Sequence, residues 1–451
     1  MLQEKYHRPL FAVVWFSAFV VAWLSAVNWL GPGVERIEKE QAMKKQLALI
    51  LLATATFMGC EDNFTHRLSD EGWTFHNGRY QQVCQDCGEM QYKEVDSGVW
   101  VRGIQGYDDH LFSSPREAYE AIQPFLEEHG GLEENALSPD EFKTVYSDVD
   151  KNGKATIAWT IYGPQEIIED DTHKYFMSFG RKSGRYGDDS HNCIFQFVGG
   201  NQSAKITTKG LSFPYQWWGT STTGDTTKIE VGFTNLHIEH RGTGFFLSQA
   251  YNAGLIMTLK NCRFTGKLHA YDNCEYSITI SDCTFDPLDS SQYALHIQGH
   301  KSESDINKSE PVTIKIEHST FRHSRGVNID QATADALISK CTFSSCGNTT
   351  AEETNQYWST LQLTQGAKIV VDGNTFTDCK GNAIGLHTAG KVQKLHVTNN
   401  TISRCSYAFA TPSYTDDSFL TSSGNKIIDT DTAHYFQKDG FKETESSITL
   451  K

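Results

Sequence analysis

The 451-residue sequence predicts an all-β chain: a right-handed parallel β-helix solenoid with a small N-terminal helical cap. Three observations predict it. First, one six-residue phrase recurs eight times: FTNLHI (233–238), LKNCRF (259–264), ISDCTF (280–285), IEHSTF (316–321), ISKCTF (338–343), VDGNTF (371–376), VTNNTI (397–402) and SSGNKI (422–427). Its closing Phe or Ile recurs at intervals of 26, 21, 36, 22, 33, 26 and 25 residues, the spacing of a solenoid. Second, apolar and polar residues alternate within the phrase, and a second alternating segment follows in every unit, with Leu295, Ile297, Val327, Ile329, Leu361, Leu363, Ile384 and Leu386 on one face. Third, only turns separate these strands, so crossover helices are excluded and successive units must stack in parallel, about 4.7–4.9 Å apart.

The start of the chain reads as export signal rather than fold. Leu10 to Leu30 is apolar for long enough to cross a membrane. A second pattern begins at Met43, with Lys44 and Lys45, an apolar run from Leu47 to Met58, and Gly59-Cys60. This resembles a bacterial lipoprotein signal over 43–59, with Cys60 as the lipidated N-terminus and Met43 as the true start; the rival is a signal anchor ending near Trp29. Phe57 departs from the usual aliphatic residue of such a signal. Either reading places the bulk of the chain outside the cytoplasm, membrane-anchored.

Residues 61–113 read as an irregular linker holding Cys84 and Cys87, a lone C-x-x-C without the further ligands of a zinc site. Residues 114–154 read as the cap. Ser114-Pro115-Arg116-Glu117 and Ser138-Pro139-Asp140-Glu141 are helix starts, and both helices carry apolar faces. Asp148 to Gly153 opens like a calcium loop, but Trp159 stands where the bidentate Glu is needed, so it reads as the turn into the first coil. The β-helix then spans 155–430, with early strands near 175–179, 194–198 and 204–208, and 431–451 is a tail or cap.

Two residues before each anchor stand Leu236, Cys262, Cys283, Ser319, Cys341, Asn374, Asn400 and Asn425, and three after it stand Cys346, Cys379 and Cys405. In stacked coils these become inward columns: small buried thiols passing into an Asn ladder, with disulfides or metal ligation as the alternatives. Thr284, Thr320, Thr342, Thr375 and Thr401 form an outward column.

The second strands generate two further outward columns. One contains Phe246, His269, His296, Asn328, Gln362 and Gly385; the other contains Ser248, Tyr271, Gln298, Asp330, Thr364 and His387. Such a strip suits a linear polymer, and the insertions 299–311 and 344–359 flank it. His296, His300, Asp330 and His387 are the candidates for proton transfer or metal binding. Tyr215, Trp217 and Trp218, in FPYQWW, offer flat faces for sugar rings, and His269, Tyr271, Gln298, Asn328 and Gln362 offer polar contacts. The loop 181–192 concentrates acids, bases and His191 and is a secondary candidate. A formal charge of −15 argues against nucleic acid and favours a neutral or calcium-bridged glycan.

At residues 155–430 the repeat, with its Asn-x-Phe and Asn-x-Ile endings, resembles the pectate-lyase-like superfamily. That resemblance implies pectate lyases, alginate lyases or polygalacturonases as relatives; no cofactor is certain, and in the lyases Ca2+ or another cation neutralises the uronate carboxylate. The catalytic signatures do not carry over: Gly299-His300-Lys301 departs from GHG, RIK is absent, and the strip holds one clear carboxylate, Asp330, with no Arg or Lys in its columns. The expectation is a monomeric cell-surface protein that binds polysaccharide and, if an enzyme, cleaves it as a polysaccharide lyase or glycoside hydrolase. Its alternative is a non-catalytic adhesin or scaffold that contacts host protein or mucin.

Overall fold

The computed structural model of the protein describes residues 72–128, 145–151, 154–168, 178–179, 193–209, 215–216, 227–241, 253–272, 276–299, 312–347, 359–386, 392–411, 419–430, 432–436 and 447–450. The chain divides into two compact units, Met1–Asp70 with Val83–Glu89, and Glu71–Gln82 with Met90–Lys451. The expected export segments and Cys60, and the expected second capping helix from Ser138, lie outside the described residues. Among the described residues, no helix is long and apolar enough to cross a membrane.

The larger unit is a parallel β-helix with three strand faces. The short-strand face is an eleven-stranded sheet in which each anchor lies beside the next: Ile238↔Phe264↔Phe285↔Phe321↔Phe343↔Phe376↔Ile402↔Ile427. Every one of these anchors is buried, and the phenylalanines stack through the core, with ring centroids 4.8 Å apart for Phe285–Phe321 and 4.6 Å for Phe343–Phe376. Each buried ring contributes about 2–3 kcal/mol through its burial, and each stacked contact about 0.5–1.5 kcal/mol more.

The corners explain the six-residue phrase. Asn235, Asn261, Asp282, His318, Lys340 and Asn399 adopt left-handed backbone with φ of 49–57°, and Gly373 and Gly424 take the same place in their coils. A second left-handed residue stands two places after the anchor in five coils, at His323, Ser345, Asp378, Arg404 and Asp429. In those coils two such bends flank the anchor. Each costs a side-chain-bearing residue about 1–2 kcal/mol, which Asn, Asp and Gly lessen.

The inward column beside the first corner is a continuous hydrogen-bonded ladder. The backbone N–H of Cys341 donates to Asn374 Oδ1 at 2.9 Å, that of Asn374 to Asn400 Oδ1 at 2.9 Å, and that of Asn400 to Asn425 Oδ1 at 3.0 Å. Their Nδ2 groups donate to the carbonyls of Ile338, Val371 and Val397, each at 2.9 Å. In earlier coils Ser319 Oγ accepts from Cys283 N–H at 3.1 Å, and Cys283 Sγ accepts from Cys262 N–H at 3.5 Å. Cys262, Cys283, Cys341, Cys346, Cys379 and Cys405, in these columns, are buried thiols outside any disulfide. Burial pushes the thiols of Cys341 and Cys346 up to about 12.

Two boundaries differ from the sequence reading. Residues 61–113 are not simply an irregular linker: Thr74–His76, Arg79–Val83 and Met90–Lys93 form a small sheet, and Gly98–Arg102 joins the solenoid antiparallel to Ala155–Tyr162, with Leu111–Phe112 on its other edge. Phe75, Tyr80, Trp100 and Tyr162 gather there into an aromatic cluster too far from the repeats to be read from their period. At the other end, Thr432–Phe436 pairs with Tyr407–Thr411, and Ser447–Leu450 with Lys426–Thr430, so the coils continue past 430.

The helix Pro115–Glu128 begins where expected. Ser114 Oγ accepts from Glu117 N–H at 3.2 Å, while the Glu117 carboxylate accepts from Ser113 N–H at 2.8 Å, one residue before the partner a capping box would use. Its Ala118 and Ile122 share one apolar core with Trp159, Phe195 and the solenoid interior. Asp150 N–H donates to Lys154 O at 2.8 Å and Lys154 N–H to Asp150 Oδ1 at 2.9 Å.

Candidate functional site

The third face carries the candidate site. Its strands Leu268–Asp272, Tyr293–Gly299, Gly326–Asp330, the first part of Ser359–Asp372, Asn382–Leu386 and Tyr407–Thr411 lie side by side in parallel. Leu268, Leu295, Val327 and Leu361 fill the interior in register, which fixes the alternate residues as the outer column. That column is the expected one: His269↔His296↔Asn328↔Gln362↔Gly385.

The second column is partly reordered. Tyr271↔Gln298↔Asp330 holds, but the register shifts between Ile329 and Asp330, so Asp330 stands opposite Gln365 rather than Thr364. Gln365 Nε2 donates to Asp330 Oδ1 at 2.7 Å, and Thr364 turns its hydroxyl to Asn328 Oδ1 at 3.1 Å. His300, His387, Trp217, Trp218, Phe246, Ser248, the loop 181–192 and most of the two insertions lie outside the described residues. Tyr215 is described only by its backbone, in a short strand parallel to Ser178–Phe179.

The expected open polar strip is in fact largely withdrawn from water: His269 is 4% exposed, Asn328 8% and Gln362 1%, while His296, Gln298 and Asp330 are half-buried. Polar side chains tolerate this by bonding one another across the coils. The two imidazoles stack at 4.3 Å between centroids and 12° between planes. His269 Nε2 lies 3.2 Å from Gln298 Oε1, and His296 Nε2 lies 3.0 Å from Asn328 Nδ2.

These bonds assign the tautomers. Thr364 occupies the Asn328 carbonyl, so Asn328 presents its NH2 to His296, whose Nε2 must accept and whose proton sits on Nδ1. Gln298 presents an acceptor to His269, so that ring carries its proton on Nε2. Both rings are neutral. Burial, then His296 and Lys267, bring His269 down to about 2, and burial, then Lys267 and Arg325, bring His296 down to about 4.

Lys267, Arg325 and Tyr293 were missed by the column reading. The Arg325 guanidinium lies over the Tyr293 ring at 4.8 Å, and that ring tilts against His296 at 5.7 Å. Burial lowers Lys267 and raises the Tyr293 hydroxyl to about 12. The buried Tyr293 hydroxyl and Gln362 Nε2 have no hydrogen-bond partner among the described residues. Extending the outer column two residues upstream of His269 finds Lys267. A register irregularity between Tyr293 and Leu295 hides the other two from any fixed spacing. Among the described residues no cluster of three or more His, Cys, Asp or Glu side chains could hold a metal ion.

Comparison with known proteins agrees with this architecture. Residues 218–447, just over half of the chain, match the family described as right handed beta helix region. Among solved structures, tailspike protein 3 of bacteriophage CBA120 is similar at 13% identity with a TM-score of 0.26, over 81% of this chain and 74% of that one. Overlap this loose assigns no activity. No curated protein matches. By its repeats, its three parallel faces and this match, the chain belongs to the right-handed β-helix family.

Proposed function

We propose that the chain binds a polysaccharide bearing acidic groups at the half-buried edge of the His269–His296 face. The observation that supports this is the pairing of two cations, Lys267 and Arg325, with two dehydrated neutral imidazoles on one face. Cations answer a sugar carboxylate or sulfate; His296, Gln298 and Asp330 answer hydroxyls. Asn328 and Gln362 lie too deep to touch a polymer, and Asn328, fixed by the Thr364 hydroxyl, holds His296 in one tautomer. The formal charge of −15 is a property of the whole chain, and a local cationic edge offsets it for an acidic ligand where the charge total alone favoured a neutral one.

In this reading, binding outweighs proton transfer by the histidines. A general base needs a free lone pair, and the His296 Nε2 lone pair is taken by Asn328. Gln365 donates to Asp330 Oδ1 and orients that carboxylate. The test is to incubate the full chain with acidic and neutral polysaccharides, with and without calcium, measuring both retention and new reducing or unsaturated ends. Retention of acidic polymers, weakened in Arg325→Gln, is expected; equal retention of neutral polymers, or none at all, would contradict the reading and move the weight to an adhesin or scaffold.

The same proposal has the protein act as a monomer outside the cytoplasm, cleaved before Cys60 and held to a membrane by lipid on that residue. Metabolic labelling with a fatty-acid analogue should mark the wild type and not Cys60→Ala.

A further inference from the structure

The described cysteines occupy two different settings. Six with described side chains belong to the solenoid: Cys262, Cys283, Cys341, Cys346, Cys379 and Cys405, all buried. Each thiol donates to the carbonyl two residues before it, from 3.2 Å at Ser281 to 3.6 Å at Thr377. Some approach one another across coils, as Cys262 does Cys283 and Cys379 does Cys405, yet all are sealed from any reagent in solution.

Cys84 and Cys87 sit together outside the repeat, and one of them is open to solvent. They stand on one tight turn within Val83–Glu89, which Gly88 N–H closes onto Cys84 O at 2.9 Å and Cys84 N–H onto Glu89 O at 2.8 Å. Gly88 takes φ of 73°, the bend that folds Cys87 back toward Cys84. The two side chains are in hydrogen-bond contact. Cys84 is 1% exposed, whereas Cys87 faces solvent. One sulfur is open to attack a reagent, and the other waits behind it to resolve the product.

We propose that Cys84 and Cys87 form a reversible disulfide by exchange with a low-molecular-weight disulfide, while the six solenoid thiols stay reduced. The Cys87 thiolate attacks one sulfur of R–S–S–R and expels one RS−, leaving a mixed disulfide. The Cys84 thiolate then attacks Cys87 Sγ and expels the second RS−. The two protein thiols lose two electrons and two protons, and R–S–S–R gains both as two R–SH. This site is independent of sugar binding.

The experiment treats the reduced, folded full chain with oxidised glutathione, alkylates remaining thiols in denaturant, and maps the digest by mass spectrometry without reduction. The expected peptide spanning Cys84 and Cys87 escapes alkylation and is lighter by the two hydrogens lost, while the six solenoid cysteines are alkylated. In Cys84→Ser the reaction stops with glutathione held on Cys87, which separates exchange from a fold defect. Alkylated Cys84 and Cys87 in the wild type, a link from either to another cysteine, or a bridge between solenoid cysteines would overturn the proposal.

Discussion

Two polar columns run along the same solenoid, one at the corner and one on the third face, and they are bonded in opposite styles. At the corner the residue repeats: Asn374, Asn400 and Asn425 each accept a backbone N–H from the coil before and donate to a carbonyl of that coil. On the third face a pair of histidines, His269 and His296, gives way to Asn328 and then Gln362, and the buried Tyr293 hydroxyl and Gln362 Nε2 have no partner among the described residues. A column that repeats and is fully bonded serves the fold. A column that varies and leaves buried polar atoms unmatched spends stability without architectural return, as functional sites do.

The sharpest way to break this contrast is to cut the ladder. Asn400→Ala removes the acceptor of Asn374 N–H and the donor to Val371 O, both fully buried. At about 1–3 kcal/mol for each stranded group, the loss should reach about 3–5 kcal/mol in denaturant unfolding. A loss under about 1 kcal/mol would mean that water enters the corner and the ladder is not what holds it.

Acid tests the third face. Both imidazoles are held below their ordinary value of 6.5, so the unfolded chain binds more protons below that pH. Their contribution is therefore fully present above about pH 6.5 and falls as pH drops toward the folded values. Each should remove about 2 kcal/mol between about pH 7 and about pH 5. His269→Gln with His296→Gln should flatten that part of the profile; an unchanged slope would show that the rings are not shielded as described.

Smaller effects sharpen the comparison. Arg325→Gln should weaken an acidic glycan about tenfold, or about 1.4 kcal/mol, measured by titration calorimetry. Cys341→Ser should change stability by less than about 1 kcal/mol. Ser319 already fills that column with a hydroxyl that donates to Glu317 O at 2.8 Å and accepts from Cys283 N–H.

Much of the fold was legible because a solenoid turns sequence period into spatial register: equal offsets from the anchor become neighbours, so the Cys-to-Asn column and the alignment of His269 with His296 and Asn328 could be read without coordinates. The failures have physical causes. Irregularities at Tyr293/Leu295 and Ile329/Asp330 break the offset rule, which misplaced Thr364 and hid Arg325 and Tyr293. Burial of the outer column was not legible, because an outward position is exposed or covered according to what packs over it. The strand Gly98–Arg102 lay outside the repeat and pairs antiparallel, so no period announced it.

The central claim, that the corner column serves the fold and the third face serves a ligand, is tested most directly by measuring unfolding and acidic-glycan affinity together on Asn400→Ala and Arg325→Gln. The account predicts a crossed result: Asn400→Ala loses stability and, where still folded, keeps wild-type affinity, while Arg325→Gln loses affinity and unfolds within about 1 kcal/mol of wild type. If Arg325→Gln lost stability as Asn400→Ala does and bound glycan unchanged, the third face would be architecture as well.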